Sequence, residues 1–501
     1  MYIIGVKTGY ITCKYLLGGN LMSKSRCFVD IMASNAGVTG TCHVLPIKLP
    51  NKEECKIAID CGMFQGNVNG KNDDEDIIDK LNRNLIFDPS TLDALLISHN
   101  HIDHTGRIPL LCKKGFRGKI YLSEDTKTLL PYALNDSCSV LNNLAEMRNT
   151  KALYNESDVS QALSQTESLH FKRKTKINDY TTVTLFQNGH LIGAALILVQ
   201  IKYPGENQIN LLFTGDWNNK NVFLDVQKLP EWVLDLPLTV IIESTYGTSN
   251  SSDVHECLAD NVARCIRSGG TVVIPAFALG RFQEILYLVK EMQRQKYLSS
   301  DISIWGDGKL GINYTKLMLE GKVFVKPSMM DFLPDNFNFV DKPTRNKLLV
   351  DTSSKIIVTT SGSGSYGPAI AYIPEYAKRK NAQIHFTSLF TPEGSLAYKL
   401  KNTQKGEAVD IGGRKIILQA DTFYTGEISA HAKGDELIEF LKKFKNLQYV
   451  LVNHGEPDVK EKFSDRILKE IDVKEVGILN RDYVFRIGAY GLEKTINTKY
   501  K

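Results

Sequence analysis

The sequence predicts an α/β protein, and three observations carry that prediction. Short apolar runs recur along the chain, each followed by polar or glycine-containing residues and then by helical patterns: Ile57-Ala58-Ile59, Ala94 to Ile97, Leu211 to Phe213, Val240 to Ile242, Val272 to Ile274 and Ile356 to Val358. Hydrophobic residues fill 43% of the 501 positions, enough for a large core divided among roughly two to four domains. One apolar run, Ala94 to Ile97, leads straight into His99-Asn100-His101-Ile102-Asp103-His104. Layered α/β architectures keep their chemistry at strand ends, where this run places it.

Taken in order, Met1 to Leu21 contains apolar residues that Lys7, Thr8, Lys14 and glycines interrupt. It reads as a leader outside the fold, with Met22 an alternative start, and not as a secretory signal. No stretch reaches the ~18 apolar residues that a membrane span needs. The acidic residues Asp73 to Asp76 read as an exposed loop. After the histidine cluster, Arg107 to Leu111 continues into a helix, and residues 124 to 167 read as helical, with Asn155 as a cap before Glu156, Ser157 and Asp158. A second α/β unit begins after Tyr246-Gly247. Its best-defined piece is the strand Thr271 to Ile274, the turn Pro275 to Gly280, and a helix from Arg281 with Ile285, Leu286 and Val289 on one face. Ligand-like residues stop inside this unit and resume near His431, as they would if the unit were inserted into a metal-binding domain. The expected organisation is a leader over 1–22, a metal-binding domain over 23–245 and 423–501, and an insert over 246–422.

Charge and cysteine usage narrow the class. The net charge of +5 is too mild to announce a nucleic-acid protein by itself. Four basic runs, Lys113-Lys114 through Lys119, Lys172-Arg173-Lys174-Lys176, Lys378-Arg379-Lys380 and Lys442-Lys443-Lys445, read either as flanks for a phosphate-rich substrate or as solvated faces. The nine cysteines are scattered and never spaced C-x-x-C. They read as reduced thiols of a cytoplasmic protein, which sets aside a disulfide frame and a zinc finger.

The cluster itself reads as a two-metal site. In an extended segment side chains two apart share a side, so His99 and His101 can grip one ion while Asp103 and His104 turn toward a second. Six further residues stand at or near the ends of strand-like runs: Asp60, His190, Asp216, Glu243, His431 and His454. Singly, each reads more readily as a satisfied polar residue of the core or of a loop. Their joint order extends the cluster.

In that order, from Gly37 to Val484, the chain resembles the β-CASP family of metallo-β-lactamase-fold nucleases. The resemblance is to its RNA-processing branch, with the nuclease subunit of the cleavage-and-polyadenylation machinery and bacterial and archaeal relatives. Asp60, His99 to His104, His190 and Asp216 match the general motifs, and Glu243, His431 and His454 match the three β-CASP motifs. Gly37-Val38-Thr39-Gly40 looks like the opening strand and turn. The resemblance implies a metallo-β-lactamase αββα sandwich with an inserted α/β β-CASP domain, and two Zn2+ ions per chain. It implies one zinc on His99, His101 and His190, a second on Asp103, His104 and His454, and Asp216 bridging both. Asp103 and Asp60 join His431 and Glu243 as catalytic groups, with Asp60 orienting a ligand histidine. The chemistry expected from it is attack by a hydroxide shared between the ions, with His431 as general acid and Glu243 fixing its tautomer. Products would carry 5′-phosphate and 3′-hydroxyl ends.

Gly280-Arg281 and Ser361-Gly362-Ser363-Gly364 are candidate phosphate contacts, with Arg281, Ser361 and Gly362 named for the role. Both also read as plain turns. Tyr246, Phe277 and Tyr366 read either as base-stacking rings or as core. Two residues depart from the family pattern. Lys433 stands where many members carry an acid, which touches only a supporting contact, since Asp435-Glu436 follow. Asn100 replaces a smaller residue, and its side chain is expected to point away from the metals with little consequence. Histidine at position 454, where DNA-acting members tend to carry valine, favours single-stranded RNA over DNA. A small-molecule metallo-hydrolase would not need Glu243, His431 or the long insert, and a scaffold subunit would have lost ligands. The expected partners are RNA, a second copy of the chain or RNA-processing proteins, and no membrane.

Overall fold

Period-two alternation builds the sandwich. In the computed structural model, which describes residues 27–498 apart from 36, 51–52, 67–74, 254–256, 389–390, 392, 412 and 489–490, two sheets face each other. One has eight strands, in the order Gly491–Ile496, Tyr483–Gly488, Phe28–Ala33, His43–Lys48, Glu54–Ile59, Ala94–Leu96, Lys119–Ser123 and Thr166–Leu169. The other has seven: Glu475–Ile478, Leu447–Val452, Leu238–Ile242, Ile209–Phe213, Ala195–Ile201, Thr181–Gln187 and Thr175–Lys176. Val29, Ile31, Leu45, Ile47, Ile57 and Ile59 of the first pack in one buried layer with Ile197, Val199, Leu211, Phe213, Ile241 and Leu451 of the second. Within each strand these positions are two apart, because alternate side chains of a strand share a face. Their even-numbered neighbours face outward. Leu198, Leu212, Val240 and Val450 pack with the helices Gly434–Leu441 and Pro457–Glu470. Ala58, Ile120 and Leu122 pack with Ile108–Lys113, Glu124–Met147 and Glu156–Ser164. The layering is αββα.

A third sheet holds six strands, ordered Phe337–Phe339, Ser303–Asp307, Lys355–Thr359, Thr271–Pro275, Ala382–Phe386 and Asp421–Tyr424. Every pairing in it is parallel, so both faces must be covered. Val272, Ile274, Ile356 and Val358 lie under the helix Arg281–Arg294, and Val273, Ile357, Ile384 and Phe386 under Ala369–Ala377. The first of these clusters also takes in Leu191, Ile192, Phe223 and Leu224 from the sandwich side. The inserted unit and the sandwich thus share one apolar core beside the site.

All six apolar runs read from the sequence are strands, and the helix from Arg281 buries Ile285, Leu286 and Val289. Asn155 caps Glu156–Ser164 reciprocally: Asp158 N–H donates to Asn155 Oδ1 at 3.1 Å, and Asn155 N–H to Asp158 Oδ2 at 3.0 Å. Four expectations need correction or restriction. The helical reading of 124 to 167 stops short, because Thr166–Leu169 pairs as a parallel strand with Lys119–Ser123. The acidic loop ends earlier than Asp76, since Glu75–Arg83 is a helix. Residues 73 and 74, like the leader over 1–22, lie outside the described residues. The opening strand is Phe28–Ala33, and residues 37–40 form a bend after it. Gly40 there has φ +74, and the Phe64 ring occupies the space of any Cβ.

Candidate metal centre and active site

The strand Ala94–Leu96 delivers the chain to His99, and the backbone changes character at His101. His101 is still extended (φ −69, ψ 151) but caps the one-turn helix Ile102–Thr105. That switch rotates Asp103 and His104 onto a different side from His99 and His101, which an extended segment alone would not do. Two groups of four donors result: His99, His101, His190 and Asp216, and Asp103, His104, His454 and Asp216, each with donor atoms within 4.8 Å of one another. Asp216 belongs to both. Its Oδ2 lies 3.6 Å from Nε2 of His99 and 3.6 Å from Nε2 of His190. Its Oδ1 lies 3.2 Å from His104 Nε2 and 3.3 Å from His454 Nε2. Asp103 Oδ2 completes the second group, 3.5 Å from His454 Nε2.

Whether these residues fit metal ions is decided by what their donors do without one. Among the described residues His99 Nε2 and Asp216 Oδ1 are buried and make no hydrogen bond, a state that buried polar atoms rarely adopt, and His101 turns Nδ1 toward His190 Nε2 at 3.1 Å. Burial holds His99 and His190 well below the ordinary imidazole range and His101 at about 4, so these rings are neutral, the form that ligates. Burial also opposes a proton on His104, yet the surrounding carboxylates of Asp216, Asp60 and Asp103 raise its pKa well above normal. That concentration of negative charge calls for a cation. The donor set fits a divalent metal, four nitrogen and oxygen ligands to each ion.

The other ring nitrogens are held as well. Asp60 Oδ2 lies 2.8 Å from His104 Nδ1, and Asp60 is fixed in turn by the Ser98 hydroxyl at 2.7 Å and Ser98 N–H at 2.8 Å. Ser98 Oγ also lies 3.0 Å from His99 Nδ1, the Ala430 carbonyl 3.1 Å from His190 Nδ1, and Thr245 Oγ1 3.0 Å from His454 Nδ1. Such contacts set the tautomer and aim the ligand nitrogen. Of these four partners, sequence reasoning found only Asp60. A serine, a threonine and a backbone carbonyl carry no signal of their own.

His431 stands beside the donors without joining either group. Its Nδ1 lies 2.8 Å from Glu243 Oε2, and its Nε2 is 3.8 Å from Asp216 Oδ2. Burial lowers its pKa, but Glu243 and Asp216 outweigh burial and raise it. Glu243 is itself anchored by Trp217 N–H. With a side chain 18% exposed against 1% for His104, His431 is far more open to solvent than His104.

The remaining candidates are placed differently. Arg281 is buried and its guanidinium is paired with Glu284 one helical turn along. Ser361 Oγ accepts from Tyr366 N–H at 3.3 Å, and Gly362 lies against the Phe277 ring. Tyr246 is part-buried, whereas Phe277 and Tyr366 are exposed. Lys433 keeps its backbone contact through Glu436, which accepts its N–H at 2.9 Å, while its buried ammonium sits 3.9 Å over the Tyr246 ring with no hydrogen bond. The Asn100 side chain does more than expected: its amide donates to Tyr314 Oη of the inserted unit at 3.0 Å. Each basic run has at least one lysine already engaged: Lys113 with Asp158, Lys176 with Asp179, Lys378 with Glu375, and Lys442 with Glu439. That favours solvated faces. No described helix is long and apolar enough to cross a membrane.

The fold and the donor set together define a divalent-metal protein of the metallo-β-lactamase class. Three family descriptions match successive stretches: a metallo-beta-lactamase superfamily domain over 49–232, a Beta-Casp domain over 282–400, and a Zn-dependent metallo-hydrolase RNA specificity domain over 416–478. The chain belongs to the β-CASP family of metallo-β-lactamase-fold proteins. It is 26% identical to the transcription termination factor FttA of Methanosarcina mazei over 86% of this chain and 68% of that one. It is 28% identical to the probable RNase MJ4 of Methanocaldococcus jannaschii, over 81% and 88% of the two chains. To the RNase aCSPSF2 of Saccharolobus solfataricus it is 26% identical, over 90% and 87%.

Proposed function

We propose that the protein is a zinc-dependent ribonuclease that hydrolyses single-stranded RNA in the cytoplasm, leaving 5′-phosphate and 3′-hydroxyl ends. The observation that carries this reading is Asp216, whose two carboxylate oxygens each face a separate group of ligand atoms while His431 stands beside one of them. Relatives that bear ribonuclease names over most of their length supply the substrate class. His99, His101 and His190 would hold one zinc, Asp103, His104 and His454 the other, with Asp216 shared. When bound, the pair lowers the pKa of a water between the ions and neutralises charge on a phosphoryl oxygen. Asp60 holds His104 to its ligand tautomer. Glu243 keeps His431 oriented and protonated, so that Nε2–H can be given to the departing 3′ oxygen. Arg281, Ser361 and Gly362 would meet the strand from the inserted unit's side, with the strand running between 246–422 and the sandwich formed by 23–245 and 423–501.

Elemental analysis of the purified protein should find close to two zinc ions per chain, and strong chelation should abolish RNA cleavage. Protein with no bound metal whose cleavage resists chelation would contradict the reading.

A further inference from the structure

We propose that Phe277 is a stacking platform for a nucleobase next to the scissile phosphate, and that Gly362 is glycine because that ring lies on its backbone. The inference rests on the ribonuclease reading and adds how the strand is gripped.

A lone exposed phenylalanine needs no explanation; the setting of this one does. Phe277 is 50% exposed, yet its ring centroid lies 6.5 Å from that of His101, one of the ligand histidines, at 42°. Its backbone is fixed on both sides: Ala276 N–H donates to the Thr359 carbonyl at 2.8 Å, and the Phe277 carbonyl accepts from Phe282 N–H at 3.0 Å. The residue follows the strand Thr271–Pro275, and Gly362 follows its hydrogen-bonded neighbour Lys355–Thr359. Both therefore sit at the carboxyl end of a parallel sheet, where such sheets bind ligands. A Cβ on Gly362 would stand 2.9 Å from two carbons of the Phe277 ring. One side of the ring, at Cγ, Cδ2 and Cε2, thus borders the side-chain-free Gly362, and half of the residue is open to solvent beside the metal ligands.

That arrangement suits a flat apolar partner. Every base has a π-face, so a ring held this way grips a strand without reading its sequence. Gly362 is then assigned to seating the ring, not to cradling a phosphate. The peptide of Gly362 pins the ring's orientation before substrate arrives, so little freedom is lost on binding.

The test pairs protein variants with RNA lacking one base. Phe277→Leu keeps an apolar side chain but removes the π-face, and Phe277→Trp enlarges it. On intact single-stranded RNA, Phe277→Leu should raise KM about 10- to 100-fold, with the loss in KM and not in kcat, and Phe277→Trp should retain wild-type KM. A series of oligonucleotides, each with a single abasic nucleotide near the cut, should show one position where the wild type loses a similar factor and Phe277→Leu loses nothing further. Because the residue is exposed, zinc content and thermal midpoint should stay at wild-type values in both variants. Gly362→Ala should mimic Phe277→Leu, since it displaces the ring. An unchanged KM for Phe277→Leu, or equal abasic penalties in the two proteins at every position, would overturn the proposal. A wild-type protein that acts on no RNA would instead overturn the ribonuclease reading beneath it, and this result is distinct because it precedes any variant.

Discussion

His431 and Glu243 separate proton transfer from metal holding, and a substitution can separate them too. His431→Ala should keep both metals and bind RNA, yet slow cleavage by about 10²- to 10⁴-fold, because His431 lies outside both ligand groups. A substrate with sulfur in place of the bridging 3′ oxygen needs little protonation and should recover much of the lost rate. Loss of metal from the variant, or no recovery with sulfur, would show that His431 has another role. Lys433 makes a different prediction. Its ammonium is buried without a hydrogen bond among the described residues and lies over the face of Tyr246, and burial lowers its pKa against the pull of Glu436. Desolvating an ammonium costs more than a cation–π contact returns. Lys433→Met should therefore raise unfolding stability by roughly 1 kcal/mol, read from denaturant midpoints. A clear loss of stability would mean that the Tyr246 contact outweighs the burial.

One hydrogen bond ties a helix of the inserted unit to the ligand cluster. Asn100 lies between two ligands, and its amide reaches Tyr314 on the helix Lys309–Leu319; both residues are almost fully buried. Tyr314→Phe would leave that amide unsatisfied at a cost of about 1–3 kcal/mol. Part of the strain should appear as weaker metal binding, measured by competition with a chelator. Metal affinity equal to wild type would confine Tyr314 to packing. This bond was not legible in the sequence, which shows that Asn100 departs from the family pattern but not what lies 214 positions away. The same limit applies to strands. Runs such as Val272 to Ile274 are apolar on both faces because a parallel sheet is covered twice, so they stand out. Ala382–Phe386 carries Gln383 and His385 and reads as polar, yet it is equally buried; its strand state comes from pairing with Thr271–Pro275 and Asp421–Tyr424. Thr166–Leu169 was hidden the same way, at the end of a long helical stretch.

On the scale of the whole molecule, the two sheets of the sandwich bring residues from 99 to 454 into two donor groups that share Asp216, with Asp60 behind His104. The spacing His99 to His104 announced the site because metal ligands need fixed offsets, and the apolar run before it announced the layer that carries it. Asp60, His190, Asp216 and His454 were legible only through their joint order, since one histidine or aspartate at a strand end has many structural uses. Ser98, Thr245 and the Ala430 carbonyl were not legible at all. A shared apolar cluster joins Leu191 and Phe223 to the inserted sheet. The central claim is metal-dependent hydrolysis of RNA by this assembled site, and end-group analysis of the products tests it most directly. Matched single-stranded RNA and DNA oligonucleotides would be incubated with the protein, with and without chelator, and the termini identified. Faster cleavage of RNA, 5′-phosphate and 3′-hydroxyl ends, and no products under chelation are expected; a 2′,3′-cyclic phosphate, or DNA cut as fast as RNA, would overturn metal-dependent hydrolysis of RNA at this site.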